Sequence, residues 1–363
     1  MFRFQGERVP GVRKIAVLRA NALGDFILTL PALEALRAAY PHAEIVLLAK
    51  KWHAAFLANR PGPVDRVAVV PPYGGVGEEP GFVVDPDENK AFFKTMAQER
   101  FDLALQIHGG GRHSNPFLLR LGARVTAGLK TPDAAPLDRW LPYIYFQSEI
   151  LRYLETVSLV GAVPTMQEPH ISLIEEDLVE SRRIVPEMGK SLVALHPGAG
   201  HPQRRWPPEK FAVVGDALAT AGAQVVVTGT QGEQPLCEAV VKTMKAEAQN
   251  LCGCLSAGGL AGLLSRCRVL VSNDSGPLHL ATAVGTATVG IYWCFNLITA
   301  GHLTRSRHRP IISWNLICPI CGIDHSRASC NHLASFVANI PTDEVIASAL
   351  DLFNAFRNAW ARP

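Results

Sequence analysis

Short apolar runs recur along this chain, each ending in a polar turn that leads into a stretch of helical spacing. Residues 14–19 (KIAVLR) form the first run, rich in β-branched side chains and entered from a basic segment. The turn Ala20-Asn-Ala-Leu-Gly-Asp25 follows, and Ile27, Leu30, Leu33, Leu36 and Ala39 then fall on one helical face across 26–40. Pro31 inside that face should bend the helix or mark its true start. Pro41 ends it, and residues 44–49 form the next strand. Such a βαβ opening predicts a parallel sheet whose ligand-facing loops lie at the carboxyl ends of the strands. Residues 65–70 and 102–107 read as further strands, with a Gly-, Pro- and acid-rich loop over 71–89 between them. Residues 124–128 close another strand, and 143–160 have helical periodicity.

A linker at 168–173 separates this pattern from a second one. A helix over 175–185 leads to a strand at 191–195, a helix over 208–220 and a strand at 224–227. A short helix over 257–267 precedes the strand at 269–271, and 288–292 reads as the last strand of this second sheet. Thr342-Asp-Glu-Val345 has the composition of a helix start, and the closing helix should run to about Trp360. The expectation is two α/β units, 1–170 and 171–341, followed by a helix at 342–363. A cleft between the units is the natural place for an active site.

Length and composition agree with this division. A chain of 363 residues exceeds one typical core and points to about two domains. Apolar content of 48% with 18% charged residues indicates a globular, well-buried protein. A net charge of +3 gives no nucleic-acid footprint. Residues 1–11 carry no signal-peptide pattern, and the longest apolar run, 281–295, is broken by Gly285 and Gly290 and too short to span a bilayer. A cytoplasmic protein without a transmembrane segment is expected. Eight scattered cysteines in such a chain favour reduced thiols over a disulfide framework.

The chemistry concentrates at the predicted strand ends. In Arg268-Val-Leu-Val-Ser-Asn-Asp-Ser-Gly-Pro-Leu-His-Leu-Ala-Thr-Ala-Val-Gly285 a buried strand meets an alanine-rich helix. Asp274 or Ser275 can cap that helix, and Pro277 suits its first turn. Free amides and the positive end of a helix dipole at a strand's carboxyl edge favour an anion, most often a phosphate. His279, one turn in, could add a donor; the plainer reading is an ordinary capped βα turn. A second candidate is His108-Gly-Gly-Gly-Arg-His-Ser-Asn115, where glycines let backbone approach a ligand and Arg112 and His113 could address anions or hydroxyls. Its glycine run lacks the spacing of a dinucleotide fingerprint, and a flexible turn is the alternative.

Four motifs stand in a fixed order. They are Leu23-Gly-Asp-Phe-Ile-Leu-Thr-Leu-Pro-Ala-Leu33 followed by Leu36-Arg37 and Tyr40-Pro41; His196-Pro-Gly-Ala with Arg204-Arg-Trp-Pro-Pro-Glu209; Thr228-Gly with Glu233; and Asn273-Asp-Ser-Gly-Pro-Leu-His-Leu-Ala281. Together they resemble the glycosyltransferases of family nine, the ADP-heptose:lipopolysaccharide heptosyltransferases. That resemblance implies the GT-B fold, two Rossmann-like domains facing across a cleft, with no cofactor and no required metal. It also implies that the final helix crosses back to the first domain. Asp25 matches the family's acidic residue, implied to be the base that deprotonates the acceptor hydroxyl; simple capping of the following helix is the alternative.

Arg204 falls where the family usually has a lysine contacting the donor's phosphates. A guanidinium keeps the charge but changes the geometry, so Arg205 beside it is a second candidate. Asp274, Ser275, Gly276 and His279 match the diphosphate-binding loop, and Glu233 matches an acid implied to contact the nucleoside; a helix-terminal cap is its alternative. Trp206 reads as packing. His108, Arg112 and Asn115 are candidates for the acceptor, which the family places in the first domain.

Cys318-Pro-Ile-Cys321 with Cys330 and His332 could complete a tetrahedral zinc site. The second pair lacks the spacing of the usual zinc ribbons, so no metal and buried free thiols are expected. The sequence therefore points to an inverting, metal-independent transferase moving heptose from ADP-heptose to the lipopolysaccharide inner core at the inner membrane. A peripheral contact through Arg3, Arg8, Arg13 and Lys14 is an option for reaching that glycolipid. The alternatives are a related GT-B enzyme with another nucleotide sugar or acceptor, and a non-catalytic nucleotide-sugar binder. A cleft-facing Asp25 argues against the binder, which needs no base.

Overall fold

The apolar runs become strands buried on both faces, as parallel sheets require. A computed structural model describes residues 6–82 and 85–355, and the chain divides into two units between Ser172 and Leu173.

The first unit opens with β1 (Lys14–Leu18), α1 (Leu23–Ile27), α2 (Leu30–Ala39) and β2 (Glu44–Ala49). Then come α3 (Lys51–Leu57), β3 (Arg66–Val69), a small ladder of β4 (Tyr73–Gly74) and β5 (Gly77–Glu78), and α4 (Pro86–Gln98). It closes with β6 (Leu103–Gln106), α5 (Ser114–Leu119), β7 (Val125–Lys130), β8 (Arg139–Pro142) and α6 (Glu149–Ser158). Its main sheet is parallel, in the order β3-β2-β1-β6-β7-β8.

The second unit repeats the plan. It runs α7 (Glu175–Ile184), β9 (Ser191–His196), α8 (Pro208–Thr220), β10 (Ala223–Val227), α9 (Gln234–Thr243) and β11 (Ala248–Asn250). It continues with α10 (Ala257–Arg266), β12 (Cys267–Asn273), α11 (Gly276–Ala283), β13 (Ala287–Trp293), α12 (Cys294–Ala300), β14 (His308–Ser313) and α13 (Thr342–Ala355). The parallel order is β11-β10-β9-β12-β13-β14. Each sheet thus has one point where the order reverses, between β1 and β6 and between β9 and β12. The crevice at the carboxyl ends of the two strands at such a point is where open α/β sheets bind ligands.

Several elements differ from the sequence pattern for local reasons. The helix expected over 26–40 is two helices, with Pro31 in the first turn of α2, where its missing N–H costs nothing. The expected loop over 71–89 ends early, because the Asp85 carboxylate accepts from the amides of Asp87 and Glu88 and Pro86 opens α4. Residues 288–292 do not form the last strand: β14 adds to β13 beyond it. Pro310 hides β14 from a pattern search, and an edge strand tolerates it. The described part of the closing helix sets Val345, Ala349, Leu352 and Phe353 into the second unit's own core. The expected return to the first domain rests on residues 356–363, which lie outside the described residues, as does Arg3. Among the described residues no helix is long and apolar enough to cross a membrane.

Trp206 is a packing residue. It is fully buried, meets Phe211 edge-on at a ring distance of 5.2 Å, and donates from Nε1 to the Ile340 carbonyl at 3.2 Å. Truncation to alanine removes a large buried volume and one of the two donors to that carbonyl, the other being Lys210 Nζ at 2.9 Å. Trp206→Ala should lower the second unit's stability by about 3–5 kcal/mol in urea unfolding; a loss below ~1 kcal/mol would show that the site collapses freely.

Candidate active site

In the second unit, β9 and β12 lie side by side, so the loops after them meet. Asn273, the last residue of β12, is fully buried and ties them together. Its amide nitrogen donates to the Pro197 carbonyl at 2.8 Å, and its Oδ1 accepts from the Trp206 amide at 3.0 Å. The loop carrying Arg204 is thereby fastened to the strand that leads into α11. Arg205 Nε and Nη2 both donate to the Ala199 carbonyl, at 3.1 and 2.9 Å. Two of its donors therefore shape its own loop.

Arg204 Nη1 contacts Asp274 Oδ2 at 2.9 Å. The opposite oxygen, Oδ1, lies 3.3 Å from His279 Nε2. Burial opposes ionisation of Asp274, but His279 and Arg204 outweigh it and hold the carboxyl below its usual range. Asp274 is thus placed between the Arg204 and His279 side chains and orients both. The N-cap of α11 is Ser275, yet its hydroxyl pairs with Ser272 Oγ at 3.0 Å and makes no cap. Without a side chain sealing it, the start of α11 at Gly276 keeps its affinity for an anion, beside Arg204.

At the next strand end, His196 Nδ1 lies 3.2 Å from Thr228 Oγ1, and burial lowers its pKa. Glu233 Oε2 accepts from the amide and hydroxyl of Thr230, at 2.8 and 2.9 Å, which caps the short 3-10 turn at Gln231–Glu233 and leaves α9 itself without a side-chain cap. The same carboxylate covers Gly198 so closely that a Cβ there would sit 2.0 Å from Oε1. Any side chain at that position would push the Glu233 carboxylate aside.

In the first unit the corresponding meeting point is organised by Arg19, whose side chain is 2% exposed. It donates to the Ile107 carbonyl at 2.7 Å and to the Asp25 carbonyl at 3.2 Å. Its Nη2 also contacts Glu149 Oε2 at 3.0 Å and Asp25 Oδ1 at 3.3 Å. Glu149 is shared with Arg152 and with the Tyr153 hydroxyl. Asp25 Oδ2 accepts from the Ala22 amide at 3.2 Å, so it does cap α1. Unlike Arg19, Asp25 keeps 38% of its side chain exposed and can meet a substrate while remaining held.

The three acceptor candidates separate. His108 is buried at the end of β6, with Nδ1 accepting from the Ala20 amide at 3.2 Å. Burial and the nearby Arg19 lower its pKa to about 3, so it is neutral at ordinary pH. Asn115 is fully buried and donates to the carbonyls of Leu129 and Ala135, so it shapes the loop and offers no surface to an acceptor. Arg112 is 72% exposed, faces Asp133 at 3.5 Å, and lines a groove of about 510 Å³ with Tyr73, Phe82, His113 and Arg120.

The profile of glycosyltransferase family 9 (heptosyltransferase) matches residues 90–307, which is more than half of the chain. The chain belongs to that family. As a family 9 glycosyltransferase it is similar to lipopolysaccharide heptosyltransferase 2 of Salmonella typhimurium, at 25% identity over 77% of this chain and 82% of the relative. Among solved structures it resembles E. coli ADP-heptose lps heptosyltransferase II, with a TM-score of 0.74, 17% identity, and coverage of 94% of this chain and 99% of that one. It also resembles E. coli heptosyltransferase WaaC with ADP-2-deoxy-2-fluoro heptose, with a TM-score of 0.63, 17% identity, and coverage of 82% and 92%. The two parallel-sheet units are those of the GT-B fold.

Arg19, Glu149 and Asn273 were not singled out from the sequence of this heptosyltransferase-family chain. Arg19 gave one signal, a charge closing an otherwise apolar strand. Glu149 gave none, since its partner lies 130 residues away. The cysteines also depart from expectation. Cys321 is exposed, and Cys318, Cys321, Cys330 and His332 bring their ligand atoms within 4.8 Å of one another.

The His108 shift has a consequence for acid stability. Unfolded, this imidazole takes a proton near pH 6.5, but folded it resists until about 3. Between those values the unfolded chain binds more protons, so the first unit loses stability as pH falls through that window. His108→Asn keeps an acceptor for the Ala20 amide and cannot charge. Its unfolding free energy should fall less steeply between pH 6.5 and 4 than that of the wild type; identical slopes would contradict the assignment.

Proposed function

We propose that this enzyme transfers heptose from ADP-heptose to the lipopolysaccharide inner core, with inversion and without a catalytic metal ion, at the cytoplasmic face of the inner membrane. The observation that carries the donor half is Arg204 anchored beside the uncapped start of α11 by a 2.9 Å contact to Asp274. A guanidinium and a helix N-terminus together can stabilise a departing diphosphate, the role a divalent ion would otherwise fill. The solved complex of WaaC with an ADP-heptose analogue supports an adenine nucleotide sugar as the donor class. Glu233, with Oε1 unoccupied by its cap, is suited to a ribose hydroxyl.

In this reading Asp25 accepts the proton of the acceptor hydroxyl as that oxygen bonds to the anomeric carbon. The bond from the anomeric carbon to the phosphate oxygen breaks on the opposite side, which inverts the centre, and ADP leaves with the electron pair. Arg19 keeps Asp25 oriented throughout, and its own burial prevents it from swinging away. Arg112 in its cationic groove suits an acidic glycolipid headgroup.

Asp25→Asn should retain ADP binding and lose transfer by at least about a hundredfold. Near-wild-type transfer in that variant would reduce Asp25 to the cap of α1. Arg204→Ala should weaken ADP about ten- to a hundredfold while leaving adenosine binding unchanged, with Arg204→Lys recovering part of the loss. Equal weakening of ADP and adenosine would mean that the substitution disturbed the loop and not a phosphate contact.

A further inference from the structure

Between β14 and α13, residues 314–341 run without helix or strand. So long an irregular stretch inside a folded unit needs something other than repeating backbone bonds to fix it. Its course is nevertheless specific. At Cys318-Pro-Ile-Cys321-Gly322 the chain reverses: the Cys318 amide donates to the Ile323 carbonyl and the Gly322 amide to the Cys318 carbonyl, both at 2.9 Å. Gly322 takes φ +74°, a conformation that side chains disfavour. This turn places both thiols on one side, and the amides of Ile320 and Cys321 face the Cys318 sulfur. A second turn, with Arg327 and Ala328 donating to the Asp324 carbonyl, brings Cys330 and His332 back to the first pair.

We infer that Cys318, Cys321, Cys330 and His332 bind one thiolate-preferring divalent ion of the zinc class in a closed, structural site. The Cys318 sulfur lies 3.7 Å from His332 Nδ1, and all four ligand atoms lie within 4.8 Å of one another. Zinc bonds of about 2.3 Å to sulfur and 2.0–2.1 Å to nitrogen give tetrahedral edges of about 3.6–3.8 Å. The four atoms therefore need to close by no more than about 1 Å to reach such edges. Three thiolates and an imidazole select a soft ion over magnesium or calcium. His325, packed edge-on against Phe336, places Nε2 3.3 Å from the Cys330 sulfur. An N–H donated there would offset the excess negative charge of three thiolates, as outer partners of metal ligands do.

The site is structural because protein fills all four positions. What it would hold is visible in the next residues. The His332 carbonyl accepts from Gln203 at 2.7 Å, the Phe336 amide donates to the Gln203 carbonyl at 2.9 Å, and Ser335 Oγ donates to the Arg205 carbonyl at 2.6 Å. The stapled segment thus buttresses the turn that carries Arg204. The metal site itself does not depend on any role for that arginine in donor binding.

The test is metal content of the full-length protein after desalting, together with its absorption spectrum when reconstituted with Co2+. About one zinc per chain is expected, and the cobalt form should show thiolate charge-transfer and intense tetrahedral visible bands. Cys330→Ser should lose both signals, and Cys254→Ser, at an exposed thiol elsewhere in the unit, should keep them. The wild-type spectrum decides the matter even if Cys330→Ser does not fold. Wild type without stoichiometric zinc and without cobalt bands would overturn the inference, as would a disulfide between Cys318 and Cys321 in the purified protein.

Discussion

The buried carboxylate of Asp274 is the constraint on which the second unit's site depends. Removing a carboxylate from water costs several kcal/mol unless its oxygens are matched. Here His279 lies at one oxygen and Arg204 at the other, so each partner is fixed by the need to satisfy the charge between them. Asn273, one residue earlier, does the same for backbone, joining the Pro197 carbonyl to the Trp206 amide. Two adjacent polar residues at a strand end thereby set the loop of Arg204 against the start of α11. The parallel sheet supplies the neighbourhood, and the polar pair supplies the register.

The first unit solves the equivalent problem with the signs exchanged. There the buried charge is the cation Arg19, and its acceptors are the Ile107 and Asp25 carbonyls and the Glu149 and Asp25 carboxylates. The buried member is saturated, which leaves the half-exposed member, Asp25, oriented yet accessible. An arginine suits this role because its fork of donors can satisfy several acceptors at once without losing its proton. In both units the residue that meets solvent is held by one that does not. Site geometry of this kind is set by burial, not by the flexibility of the loops that carry it.

What could be read from the sequence follows from how local each signal is. The strands at 14–19 and 191–195 were legible because β-branched runs and following helices are encoded within a few residues. The helix after Asp85 was signalled by its Asp-Pro start but masked by the glycines before it. β14 was hidden by Pro310, whose place at a sheet edge is a property of the whole fold. The motifs drew attention to Asp25, Arg204 and the Asn273–His279 loop, but the partners of each side chain were not legible. That Arg205 bonds its own loop, that Asp274 faces inward and that Asn115 is buried depend on partners between 6 and 70 residues away. The Cys318–His332 cluster has a spacing outside familiar patterns, and only the folded turns bring its four side chains together.

The proposed donor is an adenine nucleotide sugar whose diphosphate is held at Arg204 and the start of α11. Calorimetric titration of the full-length enzyme with ADP, UDP and GDP under one set of conditions tests it most directly. ADP should bind more tightly than either of the others by at least about tenfold, or about 1.4 kcal/mol. Tighter binding of UDP or GDP would leave the fold and family untouched and contradict the donor assignment.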